Sequence, residues 1–278
     1  MKSTDIQKAY IGSTEAEKIY MGSDLIYPTS NVDYSTMYTT IEMLTSGTLS
    51  IEKNGLYYSL DNGTTWTNMG ANTQTSTLAA GTKVLLKRTG YVSWGLGRFS
   101  STGDFKIYGN SMSLLYGDDF IGHTSLTGTY ALHQTFYQNT HIIDAENYIL
   151  PSLNVTNNGY SGMFLGCTNL IKAPKYLPAT QLDYRSYQSM FEGCTSLLAS
   201  PELQATTLAS QSHYYMFKGC TSLKYVKCLA TDISASSCTT NWLNNVASSG
   251  TFVKNPNMSS WTTGSDGIPS GWTVVDAS

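Results

Sequence analysis

The chain has 278 residues, five cysteines and a formal net charge of −3, and only 13% of its residues are charged, against ~25% for an average soluble domain. Its 16 Lys plus Arg form no basic run, which excludes an electrostatic footprint for nucleic acid or an anionic membrane, and no stretch approaches the ~20 apolar residues of a membrane span. Solubility therefore falls to Ser, Thr, Asn and Tyr, a composition closer to extracellular or fibre-like proteins than to cytosolic enzymes.

Residues 1–30 repeat at short range, with AYIGS from Ala9, IYMGS from Ile19 and LIYP from Leu25. Each reads as a short strand stopped by a turn. A module this small holds no core alone, so it is expected either to pair with another chain or a copy of itself as an anchoring or oligomerisation module, or to form an N-terminal β-hairpin packed on the next domain. The same stretch lacks the ~7–15-residue apolar core of a signal peptide. With an odd number of cysteines, this leads to the expectation of a chain without an obvious export leader, made in a reducing compartment.

Residues 31–127 alternate as strands do, at Leu49/Ile51, Leu56/Tyr58, Val84/Leu86 and Phe105/Ile107, with Gly and Asn between them. The pattern predicts a small antiparallel β-sandwich. Within it, Ser59, Asp61, Gly63, Thr65 and Trp66 match the Asp-box pattern S-x-D-x-G-x-T-W. That motif occurs in sialidase propellers, but a propeller needs several four-stranded blades. One box reads as a hairpin device, in which the carboxylate satisfies turn N–H groups, the Gly supplies positive φ and the Trp packs beneath. Arg88, Arg98 and Arg185 make a poor carboxylate clamp, because Arg185 falls in a different region. Asp118 and Asp119 are adjacent and point to opposite faces if extended. A solvated loop is the expectation there. His123, His133, His141 and His213 lack metal-ligand spacing.

Residues 128–249 carry a repeat. The phrase reads MFLGCTNL from Met163, MFEGCTSL from Met190 and MFKGCTSL from Met216, with a degenerate copy, TFYQNTHI, from Thr135. Phe136, Phe164, Phe191 and Phe217 fall in register, each followed six positions later by Ile142, Leu170, Leu197 or Leu223. Such a period signals a solenoid. One coil reads as a helical turn (Tyr187 to Phe191), a Gly193–Cys194 corner, an extended run at Leu197 and Leu198, a break at Pro201, and a second turn from Leu203. Stacking gives columns of Phe, of Leu and of Cys167/Cys194/Cys220. Parallel thiols do not converge as a disulfide or a zinc site requires, so they are expected to be small, buried, reduced packing groups. His213 sits where Tyr160 and Tyr187 precede their phenylalanines, and is expected to pack on a helix face. The repeats are expected to end after Leu229, with TNWLNNV from Thr240 as a capping helix. Residues 250–278 then form a cap in which Trp261 and Trp272 cover the last coil. Helix positions between the column residues nominate Tyr184, Arg185, Gln188, Gln211 and Tyr214 as a binding surface.

The MFxGCTSL phrase, followed by Pro and LPAT or LQAT, resembles the BspA-like leucine-rich repeats on surface proteins of Bacteroides-type and other host-associated bacteria. The resemblance spans about 129–278. The N-terminal module resembles short modules on tail and head-fibre proteins of phages of Bacteroides-type bacteria. Together they imply a fold that is mainly β with short helices, a β-sandwich followed by a leucine-rich-repeat solenoid, with an adhesive role and no catalytic residues. The expected function is a non-enzymatic phage virion protein, a head or tail fibre or decoration. The alternative is a bacterial cell-surface leucine-rich-repeat adhesin. The expected partners are virion proteins through the N-terminal module and a host surface protein or glycan through the repeats. No nucleic acid, membrane insertion, cofactor or metal is expected, and a homo-oligomer, by analogy a trimer, is.

Overall fold

The computed structural model describes residues 32–89, 95–126 and 128–278, and the backbone of four short strands nearer the amino end. The chain divides into two compact units, Met1–Asp33 and Tyr34–Ser278. In the first, β1 (Tyr10–Ile11) pairs antiparallel with β2 (Thr14–Glu15), and β3 (Ile19–Met21) with β4 (Asp24–Tyr27). The aromatic-aliphatic pairs thus lie on strands. The Gly-Ser pairs at 12–13 and 22–23, expected as turns, lie outside the described residues, as do positions 31 and 127, where the β domain was expected to begin and end.

The second unit is mainly β with one short helix among the described residues. An antiparallel sheet region leads into a β-solenoid of about five coils. The alternating stretches become β5 (Thr39–Met43), β6 (Leu49–Ile51), β7 (Leu56–Ser59), β8 (Thr67–Asn68), β9 (Lys83–Arg88), β10 (Phe99–Ser101) and β11 (Phe105–Asn110), followed by α1 (Ser113–Tyr116). Ile41 aligns with Val84 on one side and Ile107 on the other, and all three are buried. β6 and β10 form a separate antiparallel ribbon, held to the main sheet by Phe99 against Phe105.

The sheet does not stop at the first coil. β11 pairs antiparallel with β5 along one edge and parallel with β12 (Ile142–Asp144) and β13 (Tyr148–Ile149) along the other. The order β12-β11-β5-β9-β7-β8, with β13 also on β11 as the seventh strand, therefore runs from the solenoid into the antiparallel strands. Phe136 of the first coil meets Phe99 edge-on at 5.9 Å, so one hydrophobic core serves both.

Further coils add β14 (Asn154–Val155), β15 (Tyr176–Leu177), β16 (Gln181–Leu182), β17 (Ala199–Leu203), β18 (Tyr225–Cys228), β19 (Gly250–Lys254) and β20 (Trp272–Asp276). β14 pairs with β16, and β15-β17-β18-β19-β20 form a five-stranded parallel wall. Pro201 does not break the coil as expected. It lies within β17, where the register to β18 shifts, a position that tolerates a missing N–H.

The expected helical turns are replaced by ribbons of tight turns in which every fourth residue has positive φ. The third coil has Arg185, Ser189 and Gly193 there, the fourth Gln211, Tyr215 and Gly219, and the fifth Ser237, Asn241 and Asn245. Backbone N–H groups alternate between two destinations. Met190 and Cys194 donate within the coil to Tyr187 and Phe191, at 3.1 Å each, whereas Tyr187 and Phe191 donate to Ser212 and Met216 of the next coil, at 2.9 Å each. An α-helix keeps every such bond to itself and is ~10 Å wide, whereas stacked coils rise only about 4.8 Å. The ribbon is the conformation that satisfies both demands. Placing a non-glycine residue such as Arg185 or Tyr215 at positive φ costs about 1–2 kcal/mol, and the inter-coil bonds offset it.

A second correction concerns the end of the repeats. Ser237–Asn245 is a fifth ribbon and not a capping helix. Phe217 N–H donates to the Trp242 carbonyl as Phe191 N–H does to Met216, so Trp242 and Leu243 take the Met and Phe places. Among the described residues no helix is long and apolar enough to cross a membrane.

Candidate functional site

The interior of the solenoid is filled by side chains. Phe136, Phe164, Phe191 and Phe217 stack with centroids 5.4, 5.4 and 5.5 Å apart and planes within 12°. Cys167, Cys194 and Cys220 each donate Sγ–H to the phenylalanine carbonyl of the preceding coil (Phe136, Phe164 and Phe191), at 3.0, 3.1 and 3.0 Å. All five cysteines are free and buried. Burial pushes the three column thiols far above the ordinary range and Cys228 up to about 12, so thiolate chemistry is suppressed. The packing role read from the sequence holds. His213 also packs as expected, between Tyr187 (5.6 Å) and Trp242 (6.1 Å), although on a turn ribbon and not a helix.

The five nominated surface residues come together on the outer side of the third and fourth ribbons. Register places Arg185 beside Gln211 and Gln188 beside Tyr214. Arg185 Nε donates to Gln211 Oε1 at 2.7 Å, tying the coils together, and its guanidinium lies 4.7 Å from the exposed Tyr184 ring. Tyr214 stacks on Tyr215 at 4.0 Å, and the neighbouring Tyr215 side chain pushes the Tyr214 phenol up. Gln188 is half-buried, and its Oε1 has no donor among the described residues. Tyr184, at 41% exposure, is the most open of the five, and the other four are half-buried.

Sequence reasoning missed three members of this patch. Tyr215 holds Lys218 over its ring at 4.1 Å, and Lys218 pairs with Glu192 of the neighbouring coil at 3.2 Å. A four-residue ribbon period, in place of a helical one, would have placed Tyr215 beside Ser189 and brought it to notice. The patch offers tyrosine faces, amides and one guanidinium without a carboxylate partner among the described residues. Tyrosine faces stack on a partner and amides exchange hydrogen bonds with it at little entropic cost.

The other chemistry-bearing residues have structural partners. In the Asp box, the Asp61 carboxylate accepts from Thr65 N–H (2.8 Å), Thr65 Oγ1 (2.6 Å) and Ser59 Oγ (2.7 Å), and the Thr65 and Ser59 bonds lower its pKa to about 2. Gly63 has φ +88, and Trp66 packs edge-on against Tyr38 at 5.1 Å, so the motif is the hairpin device anticipated. Asp118 is solvated as expected, with its side chain 65% exposed, but it is also paired. It accepts from buried Lys87 at 2.7 and 2.8 Å and from Tyr38 at 2.6 Å, while Asp119 turns away toward His123. The three arginines stay on separate elements: Arg88 is buried at the end of β9, Arg98 lies over Tyr137, and Arg185 is on the third ribbon. Among the described residues, no three His, Cys, Asp or Glu groups cluster as metal ligands would.

No protein-family model, no curated protein and no solved structure matches the chain, so the reading of this surface rests on its geometry alone.

Proposed function

We propose that the chain is a non-enzymatic adhesive protein of a phage virion, a head or tail fibre or decoration with repeats of the BspA-like type. The N-terminal unit attaches to the particle, and the repeat face around Tyr184, Arg185, Gln188, Gln211 and Tyr214 holds a host surface protein or glycan. One observation carries this reading: the solenoid's Met, Phe, Cys and Leu columns are fully buried, which leaves the outside of the coils to do the work. The low charge content and the hydroxyl- and amide-rich surface fit a protein that works outside the cell. Synthesis in the host cytosol would leave the buried thiols reduced.

The proposal is tested by mass spectrometry of purified particles from a lysate, where the chain should appear in fixed stoichiometry with the capsid proteins. Deleting residues 1–30 should leave a folded protein that no longer joins the particle. A chain found on intact bacteria and missing from particles would transfer the reading to a cell-surface adhesin.

A further inference from the structure

The aromatic packing at the carboxyl end finishes on a ring with one face left over. Trp261 lies flat on Trp242 at 5.5 Å and 10°. Phe252 is 5.1 Å from Trp261 and 6.0 Å from Trp242, so it sits beside the pair and not over the outer indole face. Trp261 is accordingly only half-buried, whereas Trp242 is wholly enclosed.

That ring lines a cavity of 390 Å³ together with Trp272, Ser259, Thr262, Thr263 and Ser270. The four hydroxyls make no hydrogen bond among the described residues. The one cation in the lining, Lys254, is already matched by Asp276 at 2.6 Å and by the Met258 carbonyl at 3.0 Å. The pocket therefore offers an aromatic face and unpaired hydroxyls, with no uncompensated charge.

The walls are fixed in advance. Ile268 N–H donates to the Thr262 carbonyl at 2.9 Å and Gly264 N–H to the Ile268 carbonyl at 2.8 Å. A Cβ on Gly267 would overlap the Thr262 carbonyl, so this turn admits only glycine there. Trp242 and Trp272 pin the segment to the last coil through Nε1–H bonds to Gly267 and Ala247, at 2.9 and 2.8 Å. A pre-set wall lowers the ordering cost of binding.

We propose that this pocket is a binding site for a neutral saccharide, separate from the repeat face, with Trp261 as the stacking platform. The C–H face of a pyranose is apolar and complements an indole face, and its ring hydroxyls exchange hydrogen bonds with Ser and Thr. A volume of 390 Å³ falls in the range of about 300–1,000 Å³ typical of small-ligand sites.

The test uses the full chain on an array of neutral and acidic glycans, with hits titrated by tryptophan fluorescence. At least one neutral glycan should bind. The pair S259A/T263V, at exposed positions that leave the fold intact, should weaken it about tenfold, as expected for the loss of two neutral hydrogen bonds. W261L should abolish binding. Y184A/Y214A should leave it unchanged. An array without a neutral hit, a preference for acidic glycans, or affinity unaffected by S259A/T263V would overturn the assignment. Loss of the neutral hit in Y184A/Y214A alone would move the sugar to the repeat face, overturning this pocket while leaving the adhesive reading in place.

Discussion

His213 makes the fourth coil sensitive to acid. Its imidazole is 1% exposed, flanked by Tyr187 and Trp242, with Ser212 Oγ at 3.0 Å from Nδ1 and no partner at Nε2 among the described residues. Desolvation lowers its pKa from 6.5 to about 3. The folded state thus refuses a proton that the unfolded chain accepts. The stability tied to neutral His213 is complete above about pH 6.5 and is lost progressively as pH falls toward 3. At about 1.4 kcal/mol per pH unit, the loss at pH 5 is about 2 kcal/mol. Other groups also titrate over this range, so the informative quantity is a difference. Urea unfolding is measured at pH 7 and pH 5 for the wild type and for His213→Tyr, which restores the residue found at 160 and 187. The wild type should lose about 2 kcal/mol more than the variant between the two pH values, with an unchanged m-value. Equal losses in both proteins would mean that His213 is solvated or already paired, and the packing described for the column would be wrong.

Phe191→Ala should destabilise the unit by about 3–5 kcal/mol in the same assay, because the ring is fully buried and stacked on both sides. All five cysteines should be silent to an aromatic disulfide reagent in the native protein and should react in denaturant, as their burial requires. Asp118→Asn removes the counter-charge of buried Lys87. With the Asp118 side chain 65% exposed, the cost should be only about 1 kcal/mol, accompanied by a shift in Trp66 emission as the ammonium above its ring relaxes.

Much of this fold is legible in the sequence for a simple reason: stacked coils place identical side chains over one another. Three near-copies of MFxGCTSL specify the Phe and Cys columns by their spacing alone. Strand alternation at Leu49/Ile51 and Phe105/Ile107 reports one-sided burial with the same directness. The turn ribbon was hidden because Tyr187, Phe191 and Cys194 are spaced three and four apart, which suits a helix as well as a four-residue turn period. Only the rise between coils separates the two. The fifth coil escaped notice because Trp242 and Leu243 replace Met and Phe, and Asn245 supplies the positive φ that Gly219 supplies one coil earlier. The Lys87–Asp118 pair spans 31 residues, and no local pattern announces it. The five nominated surface residues follow from their position between columns, which the sequence repeat marks. Tyr215, Lys218 and Glu192 required the ribbon geometry.

The stacking of successive coils is tested most directly by cross-linking at register positions. Glu202 aligns with Lys227 on the next strand, where they form an ion pair at 2.5 Å, whereas Val275 lies three strands away, about 14 Å at the usual strand spacing. With the native thiols buried, a short reagent carrying two thiol-reactive maleimides should join E202C/K227C rapidly and nearly completely within one chain, and should leave E202C/V275C open. Equal reaction of the two pairs, or none at E202C/K227C, would contradict a parallel stack of coils.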